Sequence, residues 1–150
     1  RLSVRLQTDG LRRIPNDRQS MSAKPQYLLL FRGTNWHREL SAKEIQEIMG
    51  RTNSWFESLA REGIYKAAQP LEEEGCHVSF KGGSIADGPF TESKESVGGY
   101  LLIEAEDLDE AVAIAKRNPM IPYGLTVEVR PVAEACPANK LVNELNAAIA

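Results

Sequence analysis

Apolar residues fall along this chain in three patterns, and each predicts a different element. Short continuous runs, Leu28 to Phe31 in QYLLLFRG and Tyr100 to Ile103 in GGYLLIEAE, predict strands buried on both faces. Strict alternation is the second pattern. Cys76, Val78 and Phe80 fall on one side of CHVSF and His77 and Ser79 on the other, and Gly82-Gly83 supplies a tight turn into Ser84 to Ala86, so an inserted β-hairpin is expected. LTVEVRP alternates again, with Leu125, Val127 and Val129 inward and Thr126, Glu128 and Arg130 on the opposite face. IYKAAQP is a weaker strand, with Pro70 at an edge or an end.

Spacings of three and four make the third pattern. Ser41 and Glu44 form a Ser-x-x-Glu capping box, after which Ile45, Ile48, Met49, Thr52, Trp55, Phe56 and Leu59 share one face of a helix that Gly63 ends. In DLDEAVAIAKRNP, Asp107 caps a second helix and Asn118-Pro119 stops it. Pro137 opens a third, with Leu141, Val142, Leu145 and Ile149 along one side.

The resulting order, strand, helix, strand, hairpin, strand, helix, strand, helix, contains a split βαβ repeat. It predicts an α+β chain of ferredoxin-like topology, an antiparallel sheet with an inserted β-hairpin. Its two main helices can cover one face of the sheet only. The first and third core strands are apolar on consecutive residues, so the uncovered face would leave several large side chains in water at a loss of several kcal/mol, at ~25 cal/mol per Å². A second copy is the economical cover, and a homodimer is therefore expected, a dimeric α+β barrel with a cavity inside.

Composition narrows the function classes. The chain has 150 residues, 42% hydrophobic and 26% charged, which fits one globular domain. Its net charge of −3 combines five arginines against two aspartates in residues 1–20 with −6 in residues 21–150. The folded part is acidic and has no basic patch interleaved with aromatics, so direct nucleic-acid binding is not expected. Neither apolar run is long enough to span a bilayer, no apolar stretch follows the N-terminal arginines, and Cys76 and Cys136 match neither a disulfide framework nor a metal motif. A cytoplasmic protein with no membrane contact, no metal and no cofactor is expected. Residues 1–20 lack apolar periodicity and read as a leader, tag or extension, with a transit peptide as the rival. Residues 21–132 form the domain and residues 133–150 a C-terminal amphipathic helix.

DGPF at Asp87 to Phe90, ESKESVGGYLLIEAEDLDEAVAIA after it, and YGLTVEVRPV resemble the YCII-related family, and within it the branch known for its DGPF motif. The resemblance implies a ferredoxin-like fold forming a dimeric α+β barrel. It also implies two functional directions. Some YCII-like proteins are associated with dehalogenation or isomerisation of aromatic degradation products, which suggests a small carboxylated or aromatic ligand and lyase or isomerase activity. DGPF-type proteins are often encoded beside, or fused to, extracytoplasmic-function sigma factors, which suggests a regulatory or interaction module with such a partner. The histidine and aspartate proposed as a catalytic pair in other YCII-like proteins would lie near Thr52 and Asn118, and neither residue can do acid–base work at neutral pH.

Five side chains are candidates for a site. Asp87 is a general base or ligand carboxylate at the cavity mouth, or a carboxylate hydrogen-bonded to its own loop. Arg130 can hold a substrate carboxylate through its planar fork, or pair with Glu128 on the same face. Lys94, in the loop TESKES, can meet an anion or stay solvated. Tyr123 offers a phenol for hydrogen bonding, or packs at an interface. His37, beside Trp36 ahead of the first helix, carries the side chain suited to proton transfer near neutrality, with a surface role as the rival. Gly98-Gly99 precedes a strand and needs no phosphate-binding role.

Overall fold

The computed structural model describes residues 23–33, 35–89 and 96–150, the side chains of residues 86, 87 and 89 excepted. The N-terminal extension, Lys94 and the side chain of Asp87 therefore lie outside the described residues. The elements run β1 (Gln26–Arg32), α1 (Ala42–Arg61), β2 (Tyr65–Pro70), β3 (Cys76–Lys81), β4 (Ser84–Pro89), β5 (Val97–Glu104), α2 (Leu108–Lys116), β6 (Thr126–Pro131) and α3 (Pro137–Ile149).

Four strands make an antiparallel sheet in the order β2-β5-β1-β6, and β3-β4 stands apart as a two-stranded ribbon. This is the ferredoxin-like arrangement, with the two most apolar strands in the centre and Pro70 at the end of an edge strand, where its missing N–H costs no ladder bond.

Register decides which side chains meet. Tyr27, Leu29 and Phe31 stand opposite Ile103, Leu101 and Gly99 on one face, and Leu28 and Leu30 stand opposite Leu102 and Tyr100 on the other. The first set is buried and packs with Trp55 and Leu59 of α1, Ala111, Ile114 and Ala115 of α2, and Leu125. The second set is only half-buried. The two central strands are thus covered on one face rather than two, because both packed helices lie on the same side of the sheet.

Local chemistry accounts for the helix ends. The Ser41 hydroxyl accepts from the Glu44 N–H at 3.3 Å, while the Glu44 carboxylate accepts from the Ser41 N–H at 2.8 Å and its hydroxyl at 2.7 Å, a complete capping box. These bonds, the one from the Ser41 backbone first, hold the Glu44 carboxyl below its ordinary pKa. Asp107 caps α2 by accepting from Glu110 N at 2.8 Å. By contrast, α3 begins at a proline without a side-chain cap, and none of its residues is buried.

The Asp87-Gly88-Pro89 segment, expected as a loop at the cavity mouth, is instead strand. Cys76, His77 and Val78 pair with Pro89, Gly88 and Asp87, so the hairpin runs three residues beyond Ala86. Its proline is accommodated because a two-stranded ribbon leaves an outer edge on each strand and this one closes β4.

Candidate functional site

A cavity of about 810 Å³ opens on the helix-covered side of the sheet, between α1 and the β2-β5 edge. Its existence follows from two adjacent stripes on α1. One stripe, Ile48, Thr52, Trp55 and Leu59, is buried against the sheet and fixes the helix in place. The next, Met49, Asn53, Phe56 and Ala60, with Glu57 beside it, lines the cavity. Beneath this second stripe the sheet offers Ala68, Pro70, Gly98 and Gly99, residues too small to reach the helix, and the gap is the cavity.

A side chain at Gly99 would crowd the floor. A Cβ on Gly99 would stand 3.1 Å from the Gln69 carbonyl oxygen, tighter than nearly all such contacts, and 3.5 Å from the Phe31 ring. Gln69 and Tyr100, paired across β2 and β5, direct their side chains to the open face by alternation, so they reach this cavity through their backbone. Another glycine shapes the far end. Gly33 has φ +87, and a Cβ there would come within 2.8 Å of the Gly124 carbonyl oxygen, so only glycine lets β1 turn out here into the loop that carries Trp36 and His37 to the cavity.

The walls are aromatic. Phe56 and Tyr65 meet edge to face, 6.4 Å between centroids and 83° between planes, and form a corner. Trp36 and His37 form a second such pair at 5.6 Å and 77°. Phe31, Met120 and Leu125 complete the apolar lining, while Glu57, Glu73, Asn53 and His37 bring polar groups to it.

Thr52 and Asn118 are the buried polar residues among those described, each 2% exposed. Thr52 lines the cavity and donates its hydroxyl proton to the Ile48 carbonyl at 2.9 Å. Asn118 accepts from the Met120 N–H at 2.8 Å through Oδ1, but its Nδ2, like the Trp55 Nε1, is buried with no hydrogen-bond partner among the described residues. Each such donor costs about 1–3 kcal/mol.

Of the five side chains singled out from the sequence, His37 lines this cavity. Tyr123 ends a single 3-10 turn, 37% exposed, and its oxygen accepts from Arg51 at 3.3 Å. Arg130 is exposed on β6, opposite Leu28 on the open face. The Arg130–Glu128 pair, one of the two alternatives the sequence left open, is not among the ion pairs of the described residues. Glu128 pairs instead with Arg32 at 3.2 Å, because diagonal neighbours on adjacent antiparallel strands come within reach of long side chains. The backbone of Asp87 lies in β4, opposite Val78. The cavity is lined by residues of one chain and lies on the side of the sheet opposite its open face, where the expected dimer would enclose its own space.

Residues of the second α1 stripe were absent from the sequence-based candidates. Two signals pointed to them: α1 carries a wider apolar face than core packing needs, and Gly98-Gly99 places a pair of residues without side chains across from it.

No helix among the described residues is long and apolar enough to cross a membrane, and no group of three or more His, Cys, Asp or Glu side chains among them could hold a metal ion. A comparison with curated proteins gave no match. Among solved structures, the chain is similar to 5-chloro-2-hydroxyhydroquinone dehydrochlorinase from Burkholderia phenoliruptrix, which was solved in complex with 2,5-dihydroxybenzoquinone. The identity is 18%, the match covers 73% of this chain and 95% of that one, and the TM-score is 0.44. The family model for the YCII-related domain matches residues 28–135, a span that takes in every strand of the sheet and the helix that roofs the cavity, and the chain therefore belongs to the YCII-related family.

Proposed function

We propose that this protein binds a small molecule with an aromatic or apolar body in the cavity under α1. One observation carries the reading: a space of about 810 Å³, within the roughly 300–1,000 Å³ typical of ligand pockets, is walled by Phe31, Trp36, Phe56 and Tyr65 and has few polar groups. His37 is the lining side chain suited to proton transfer, and Thr52 lies near the place where the resemblance puts a histidine in other family members, on a helix that has none. Binding and orientation are therefore the roles this lining supports, with His37 as the residue to test for chemistry beyond them.

A thermal-shift and calorimetric survey of small aromatic compounds tests the proposal. Binding to the wild-type chain, lost in Asn53→Trp with the circular dichroism spectrum unchanged, is the expected result, since Asn53 is exposed on the cavity stripe and a larger side chain there fills the space without touching the core. Equal binding by wild type and Asn53→Trp would remove the cavity from consideration.

We also propose that two copies meet through their open sheet faces. Leu28, Leu30, Tyr100 and Leu102 are half-buried there, and their full burial would recover several kcal/mol at ~25 cal/mol per Å². In such a dimer Arg130 belongs to the shared surface, where a carboxylated ligand or the partner copy would meet it. Sedimentation of wild type and Leu30→Asp should give a dimer and a monomer respectively; a wild-type monomer at micromolar concentration would refute this.

A second function has its own support. Leu141, Val142, Leu145 and Ile149 of α3 are 52% to 84% exposed, and an uncovered apolar stripe suits docking to another protein, a sigma factor among the partners that the family resemblance suggests. Deleting residues 133–150 should abolish capture of such a partner while leaving small-molecule binding intact.

A further inference from the structure

The cavity's lining also carries a sign of charge. Among its described residues, the side chains that bear full charge near neutrality are the carboxylates Glu57 and Glu73. Glu57 follows Phe56 on α1, and Glu73 sits in the Glu72-Glu73-Glu74 run that leaves β2 at the end away from Tyr65; both are exposed, so the two carboxylates stand at separate parts of the cavity mouth. Three basic residues on the adjoining elements have partners of their own. Arg51 donates to the Tyr123 oxygen at 3.3 Å, Lys66 pairs with Glu104 at 3.2 Å and Arg32 with Glu128 at 3.2 Å, the last two across the open face of the sheet.

The aromatic lining is compatible with the same sign of charge. The face of an aromatic ring is the negative part of its quadrupole, so a cation seated over the face of Phe56, Tyr65 or Trp36 in this lining would be attracted. A carboxylate ligand placed here would be repelled by Glu57 and Glu73, and a cation attracted by them.

Resting on the reading of this cavity as the binding site, we propose that its occupant is an organic cation, a primary or quaternary ammonium attached to an aromatic or compact alkyl body. The apolar body lies against Gly99 among Phe31 and Phe56, and the ammonium is held at the cavity mouth, where Glu57 on α1 and Glu73 after β2 offer carboxylates. This departs from the carboxylate ligand that Arg130 suggested, because Arg130 extends from the other face of the sheet.

Three probes of one shape and different charge test it on the full chain: benzyltrimethylammonium, benzyl alcohol and benzoate, titrated by calorimetry at low and at high salt. The cation should bind about tenfold tighter than the alcohol, benzoate should bind weakest, and salt should weaken only the cation's advantage. The double variant Glu57→Gln, Glu73→Gln should lose most of that advantage and leave benzyl alcohol binding unchanged; both positions are exposed, so the fold is kept. Benzoate binding as tightly as the cation would overturn the charge assignment while leaving the cavity as a site. Failure of all three probes to bind would overturn the site itself. Cation binding that survives Asn53→Trp unchanged would place the cation elsewhere and overturn the proposal.

Discussion

The two faces of the central sheet are made by the same strands and meet opposite conditions. On one face, Tyr27, Leu29, Leu101 and Ile103 are 0% to 6% exposed under two helices. On the other, Leu28, Leu30, Tyr100 and Leu102 are only partly buried, bordered by the Arg32–Glu128 and Lys66–Glu104 ion pairs. The covered face is not filled throughout. It is tight where α1 meets large side chains and hollow where α1 meets Ala68, Gly98 and Gly99. Coverage and packing are separate properties, and the candidate site arises where the first is present without the second.

The sharpest way to break this contrast is to remove a leucine from each face. Leu101→Ala, on the covered face, should cost about 3 kcal/mol, and Leu30→Ala should cost less than half of that in dilute protein. Denaturant unfolding of both variants checks it, and equal losses in a monomeric sample would mean that the open face is covered. A smaller effect, about 1 kcal/mol, is expected for Ser41→Ala, which removes the cap that starts the roof of the cavity. The same cap predicts a pH dependence. Glu44 has a depressed pKa in the fold, so its contribution is present above the unfolded carboxylate value and is lost as pH falls through the folded one. Wild type and Glu44→Gln should therefore differ in stability at neutral pH and converge in acid.

Two still smaller effects sharpen the picture. Gly50 sits in the exposed middle of α1, and a Cβ there would touch nothing within 4 Å, so Gly50→Ala should stabilise the chain by up to about 1 kcal/mol, measured as a raised Tm. A double-mutant cycle on Arg32 and Glu128 should give a coupling of at most about 1 kcal/mol that fades with added salt, because both side chains are partly solvated.

Legibility in the sequence followed the range of the interactions. The capping box of Ser41 and Glu44, the Asp107 cap, the Gly82-Gly83 turn and the proline that opens α3 are all local, and each could be read from a few neighbouring residues. The sheet order followed from which runs were continuously apolar. Asp87-Gly88-Pro89 was misjudged as a loop because its turn-forming composition is local, whereas the pairing that makes it strand comes from Cys76 to Val78. Pairing of Arg32 with Glu128 likewise depended on a register that spans 96 positions. The cavity was hardest to foresee. It is made by small residues on two strands lying opposite one stripe of a helix, and an absence of side chains gives no periodic signal.

Methyl-detected NMR, with an aromatic probe titrated into the protein, tests the central claim most directly, because methyl groups report on each face separately. The methyls of Met49, Ala60, Ala68 and Met120 should shift in a saturable way while those of Leu28, Leu30 and Leu102 stay in place. The reverse footprint, with the open-face leucines moving and the α1 stripe silent, would contradict the assignment of the cavity under α1 as the binding site.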